Sequence, residues 1–285
     1  KGFPVFDLER IEVLRGPQGT LFRRNTPAGV VKCESAKPTQ EFGGYGRVAY
    51  GTDNLWNVEG AVGGGLTDRW SARASVLFQR RDDSVTNTHQ PSPVAGAEGY
   101  DESAARVQFL YEGDAFEGLF NLHKRHLNGT ARLFRANIIK PGTNDFVDGF
   151  DRDQISIDGV NFSELDTWGG SARLRWELGR VNLYSITGYE TAKSLNRGDI
   201  DGGFGAAFLG PGNSGPGFIP FASESADGLP DHRQVTQEFR VESNEWGRFD
   251  WQAGLFYFAE DISIDSFKYD SLTPGNPRAG YAIQQ

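Results

Sequence analysis

Methionine is absent from the sequence altogether, position 1 included, and cysteine occurs once. The lone Cys33 can close no disulfide within the chain, so cysteine usage leaves the redox compartment open. Histidine numbers only four, with no Ser-His-Asp or Cys-His spacing among them, which makes an enzyme the weakest functional class. No stretch approaches the roughly 18 consecutive apolar residues of a membrane-spanning helix. That excludes a helical membrane protein but not a membrane β-barrel, whose alternating strands look only weakly hydrophobic. A basic stripe is also missing, and the net charge of −9 argues against nucleic acid as a partner. No signal peptide is visible, and with methionine missing the chain reads as a fragment whose N-terminus lies upstream.

What is present is glycine and aromatic residues: 37 Gly, 21 Phe, 9 Tyr and 6 Trp. This mixture suits strands and tight turns better than long helices. From about residue 41 the apolar residues recur with a period of two. In "WSARASVLFQ" Trp70, Ala72, Ala74, Val76 and Phe78 share one face, and Ser71, Arg73, Ser75 and Gln79 the other. "GGSARLRWEL" and "FDWQAGLFYF" repeat the pattern. Strands are predicted near 42–50, 55–64, 70–80, 102–112, 116–126, 167–177, 181–192, 233–243 and 249–260. Most suit the roughly 9 to 11 residues of a tilted bilayer crossing better than the ordinary strand of about 5 or 6.

The connections alternate in length. Short ones at 66–69, 113–115, 178–180 and 244–248 face long ones at 81–101, 127–166, 193–232 and 261–285, and only "GTDN" at 51–54 is short where a long one is due. Periplasmic turns and long external loops give an outer-membrane barrel this asymmetry. The second face carries Arg47, Glu59, Arg73, Arg106, Gln108, Arg173, Arg175, Glu238 and Arg240, which implies a wet or plugged interior. Tyr45, Tyr50, Trp56, Trp70, Trp168, Trp246 and Trp251 near strand ends fit interfacial girdles, though each alone would serve equally as a core aromatic. Outer-membrane lipid is thus an expected partner.

Residues 1–40 alternate little and hold Pro17, Pro27 and Pro38 within one 31-residue stretch. Here "ERIEVLRGPQGTLF" followed by "RNTPAGVV" resembles the end of the plug domain of TonB-dependent outer-membrane receptors. "SITGYE" and "TQEFRVES" followed by "FDWQAGLFYFAED" resemble strand motifs of the same family. The resemblance implies an all-β fold: a partial transmembrane antiparallel β-barrel, about nine of 22 strands, preceded by the C-terminal segment of a plug, with residues 1–40 as plug and 41–285 as barrel. The plug motif comprises Arg15, Gly16, Pro17, Gly19, Asn25 and Gly29, and plug–barrel contacts are expected between Arg15, Arg24 and Asn25 and the inward Glu190 and Glu238. It further implies active uptake of a scarce solute, most often a ferric siderophore and less often another large nutrient. Uptake would be driven by TonB through a plug segment that does not appear in this sequence. The family usually has Gly where this chain has Arg23, and an apolar residue where it has Cys33.

Two alternatives stay open: a passive porin-like barrel, which would lack the plug segment at 9–31, and a non-functional remnant of a receptor gene. No cofactor or metal site is read. His123 and His126, three apart on a strand, point to opposite faces. "GGYGRVAYG" is not a nucleotide-binding loop, because no G-x-G-x-x-G opens a helix there. The Phe-rich stretch 202–221 reads either as a plain surface loop or as one that closes over an apolar ligand.

Overall fold

Alternation becomes one antiparallel meander in the computed structural model, which describes residues 5–17, 27–136, 138–202, 223–244, 249–270 and 283–284. A hairpin comes first, β1 (Leu8–Arg15) and β2 (Gly29–Ser35). Then follow β3 (Gly43–Gly51), β4 (Leu55–Thr67), β5 (Trp70–Arg81), the short β6 (Val85–Asn87) and β7 (Gly96–Ala97), β8 (Tyr100–Glu112) and β9 (Phe116–Gly129). After the short β10 (Gln154–Ile155) come β11 (Phe162–Glu177), β12 (Val181–Asp199), β13 (Ser223–Ser243), β14 (Gln252–Asp270) and β15 (Ile283–Gln284). The main sheet has ten strands in the order β15-β14-β13-β12-β11-β9-β8-β5-β4-β3, each antiparallel to its neighbours.

All nine predicted strands are present, and the long ones run well past their predicted ends. β12, β13 and β14 have 19, 21 and 19 residues, against roughly 9 to 11 for a bilayer crossing. The excess lies on the side of the long connections, so these strands rise out of the membrane. Polar residues there broke the apolar alternation, and hydrogen bonding between neighbouring strands continued the ladder regardless.

Cross-strand register fixes the faces. Val48, Val58, Val62, Val76, Val107, Leu122, Leu183, Val235, Phe239 and Leu255 all point outward and are exposed. A broad exposed apolar surface on a polar-cored sheet is what lipid covers. Trp70, Tyr111, Phe116 and Trp176 pack with tilted rings in turn along the short-turn side, with ring centroids 5.1, 5.7 and 5.1 Å apart. Tyr50 with Trp56 and Trp168 with Tyr189 pair toward the other side, at 5.0 and 5.2 Å. Trp168 and Trp176 are about 26 Å apart along β11 at ~3.3 Å per residue. At a tilt of roughly 35–45° that is about 20 Å along the membrane normal, most of the roughly 25 Å apolar band of a membrane barrel.

The small strands build a cap over the long-loop end. β10, β6 and β7 form a three-stranded sheet around Val85, Ala97, Ile155 and Ile157. Asn87 ties the two loops together: its Nδ2 lies 2.8 Å from Ser92 Oγ and 2.9 Å from the Val94 and Ile157 carbonyls, while its Oδ1 accepts from Ile157 N.

Candidate functional site

The polar face of the sheet receives the peptide just ahead of β1. Phe6 and Asp7, each 4% exposed, rest on β3, β4, β5 and β8. The Asp7 carboxylate takes Arg73 Nε at 2.9 and 3.2 Å and also accepts from Arg73 Nη2. Its backbone N–H donates to Glu59 Oε1 at 3.2 Å, and Tyr45 donates its hydroxyl to the same Glu59 oxygen. Arg106 Nη1 donates to the Phe6 and Asp7 carbonyls at 3.5 Å, and its guanidinium lies 4.7 Å from the centre of the Phe6 ring. Phe6 packs on Leu77 and Ala104. Forked Arg–carboxylate pairs are among the strongest hydrogen-bonded contacts. Removing one partner of a buried pair typically costs about 3–5 kcal/mol, because the other charge stays buried.

Above this anchor the hairpin carries an ion network on one face. Arg10 reaches Glu34 at 2.7 Å and Glu12 at 3.0 Å, and Lys32 reaches Glu34 at 2.5 Å and Glu12 at 3.4 Å. Lys32, and after it Arg10, hold the Glu34 carboxyl below its ordinary range. Gly16 and Gly29, at φ of 83° and 147°, lie where β1 ends and β2 begins. Gly29 is irreplaceable in place, since a Cβ there would collide with the Leu14 carbonyl.

The expected site residues are distributed as follows. Arg15 ends β1 opposite Gly29, Gly16 donates its N–H to the Ala28 carbonyl at 3.1 Å, and Pro17 follows. Gly19, Arg23, Arg24 and Asn25 lie outside the described residues, as does most of 202–221. Glu190 accepts a contact from His123 Nε2 at 3.0 Å, and Glu238 lies 3.8 Å from Arg240 Nε. The two histidines do part company: His123 faces the interior, and His126 pairs with Asp166 at 2.9 Å on the opposite face.

One row of directly paired residues crosses the inner face from β3 to β14: Tyr45, Ala61, Ser75, Arg106, His123, Gly169, Glu190, Gln234 and Glu260. The anchor occupies its first part. Further along, His123–Glu190 and His232–Glu260 pair wall residue with wall residue, both at 3.0 Å. The inward cations and acids of the anchor were legible as a polar face; Asp7, their common partner, was not, since it precedes the strand and belongs to no periodic pattern.

At the long-loop end a cavity of about 950 Å³ lies between the 130–135 segment and the inner faces of β11, β12 and β13, with Phe134, Ser163, Ser194, Asn196 and Asp227 among its lining. Beside it, Asp158, Asp199 and Asp201 bring carboxylate oxygens within 4.8 Å of one another. Among the described residues this is the grouping with the donors to hold a metal ion. Burial first, then the charge of Asp201, pushes Asp199 up to about 8 and raises Asp158. Asp199 ends β12, beyond the part of that strand needed to cross a bilayer. Gly159 N and Gly202 N donate to it at 3.2 and 3.1 Å.

No family model matches the sequence. Among curated proteins, the ferrioxamine B receptor of Salmonella typhimurium (strain SL1344) is 37% identical over 209 residues, 67% of this chain and 29% of that receptor. The chain therefore spans under a third of the length of that relative. Among solved structures, the ferric yersiniabactin uptake receptor from Yersinia pestis superposes with a TM-score of 0.71 at 17% identity, over 94% of this chain and 38% of that one. The open form of the ferric-catecholate import receptor from E. coli K12 does so with a TM-score of 0.69 at 16% identity, over 92% and 40%. At those identities the structural likeness is one of fold.

Proposed function

Because the chain belongs to the TonB-dependent outer-membrane receptors, we propose that the protein containing it takes up a ferric siderophore across the outer membrane of a Gram-negative bacterium, energised through TonB. The observation that carries the reading is the docking of Phe6–Asp7, the residues just ahead of the β1–β2 hairpin, on the polar inner face of a sheet whose outer face is apolar. A passive pore needs that interior open. In this reading residues 1–40 are the last part of a plug and 41–285 the first part of the barrel. The cavity under the 130–135 segment is where solute first meets the wall, and its mix of hydroxyl, amide, carboxylate and aromatic groups suits a polar chelate. The name of the Salmonella relative makes ferrioxamine B the first ligand to try.

Movement of the plug under load requires contacts that can exchange. Arg15, Arg24 and Asn25 with Glu190 and Glu238 are proposed as such contacts. Glu238→Gln is then expected to lower transport while leaving ligand binding intact, measured as uptake rate against equilibrium binding of the same chelate; unchanged uptake would remove that pairing. For the function itself, the complete receptor is placed in cells lacking their own siderophore receptors, and entry of radioiron as ferric siderophore is followed with and without TonB. Saturable uptake that stops without TonB is expected. Equal, unsaturable entry in both strains would overturn the proposal in favour of a pore.

A further inference from the structure

Whatever strands complete a barrel stand beside the ones described here and leave the outer face to the membrane. On that face, toward the short-turn side of β11–β14, lies a groove of about 820 Å³ with apolar walls. The register of the strands forms it. Two adjacent rows of outward residues cross the sheet there, Trp176–Leu183–Val241–Ala253 and Leu174–Ser185–Phe239–Leu255. Trp176 and Leu183 make one ridge, and Phe239 and Leu255, 57% and 77% exposed, make the other. Between them the smaller Ser185, Val241 and Ala253 follow one diagonal, which is the floor of the groove. A strand added at the free edge of β14 would lengthen the second ridge and leave the floor open. Gln237 Nε2 donates to Ser185 Oγ at 3.1 Å, and Gln237 Oε1 accepts from Thr187 Oγ1 at 2.6 Å. The hydroxyl in the floor thus has its partner, and hydrocarbon can lie over it without stranding a polar group.

The short-turn end of the groove carries a cation. The β11–β12 turn is pinned there to Asn244, just after β13: Asn244 Nδ2 donates to the Gly179 carbonyl at 3.1 Å, and Asn244 N to the Arg180 carbonyl at 2.7 Å. Exposed Arg180 therefore has a fixed backbone position at the level where Trp176 and Trp251 mark the membrane surface. Glu177, the acid nearest to it in sequence, is engaged by Arg175 at 3.5 Å. The geometry points to a specific phospholipid site on the outer face of β11–β14, with one acyl chain in the groove over Ser185 and Val241 and the phosphate at Arg180. Hydrophobicity alone does not hold a lipid tail against protein rather than against other tails. Packing does, because two fixed ridges lose contacts wherever disordered chains fill the space between them poorly. Charge adds to it, because guanidinium and phosphate form a strong, directed pair. This goes beyond general coverage by lipid: one molecule stays in place while its neighbours exchange.

The test uses the complete receptor, purified in mild detergent and washed free of bulk lipid, with bound phospholipid counted by native mass spectrometry. One phospholipid per receptor is expected to remain. Ser185→Leu and Ala253→Phe fill the floor from different strands, and Arg180→Glu reverses the charge; each is expected to cut retention by roughly tenfold. Val107→Phe, on the outer face of β8 away from the groove, is expected to keep the wild-type count. Heat-modifiable migration in detergent gels shows that each variant has formed its barrel. A second measurement needs no variant: a phospholipid with a diazirine in its acyl chain, reconstituted with the wild-type receptor in phosphatidylethanolamine vesicles, should label peptides containing Leu183 and Phe239 above those containing Val107. The site is overturned by a wild-type receptor that retains no phospholipid or retains lipopolysaccharide instead, by unchanged retention in the floor variants or in Arg180→Glu, or by labelling spread evenly over the outer face. None of these readouts involves uptake, so the function proposed above stands or falls separately.

Discussion

Asp7 is held by a forked guanidinium, a backbone contact and almost complete exclusion of water. Arg73→Ala removes the fork that holds this carboxylate and leaves Arg106 as its nearby cation, so docking of the segment ahead of β1 is expected to weaken by at most about 3–5 kcal/mol. Cells carrying the variant receptor should become sensitive to a large antibiotic that an intact outer membrane excludes. Wild-type resistance in that variant would show the anchor to be dispensable. Arg73→Lys keeps the charge but loses the fork and should fall between the two. Alternation alone turned Glu59, Arg73 and Arg106 inward, and all three do face the interior. It could not name their partner, because side-chain period carries no information about what lies across the lumen.

Strands obey two solvents along their length. Between the aromatic girdles the outer face meets lipid, so Leu122→Arg, near the middle of β9, is expected to cost roughly 2–4 kcal/mol. The check is the urea dependence of folding of the complete receptor into lipid vesicles, and a wild-type midpoint would contradict a lipid-facing Leu122. Above the membrane the same strands carry charge, and there the Asp199 cluster responds to pH. Its folded pKa of about 8 lies above the unfolded carboxylate value of about 3.9. The stabilisation is complete below the lower value and is lost as pH rises through the higher one. Hydrogen-exchange protection of the Gly159 and Gly202 amides should fall between pH 5 and pH 9, and Asp199→Asn should flatten that dependence. These extensions escaped the sequence reading because their ladders are held by backbone bonds, which polar side chains satisfy as well as apolar ones.

At the scale of the molecule, β3 and β15 are the two edges of an open sheet. Unpaired strand edges in hydrocarbon leave N–H and C=O groups with no partner, at several kcal/mol each. Residues 1–285 expressed alone are therefore expected to give no compact, heat-modifiable species in detergent gels, whereas the complete receptor should; a heat-modifiable band from residues 1–285 would mean that the edges can close.

The amino-acid order by itself determined which side chains meet lipid, where the chain turns, and on which side the long loops gather. Each of these follows from periods and punctuation read within about a dozen residues. Only the tertiary structure decided that Phe6–Asp7 sits on β3–β8, that two loops share one cap around Asn87, and that the histidines pair within the wall. Those contacts join residues 52, 66 and 100 positions apart at the anchor, 70 in the cap and 67 at His123–Glu190. Over such separations the partner is chosen by how the sheet curves and what it encloses, which no local pattern encodes.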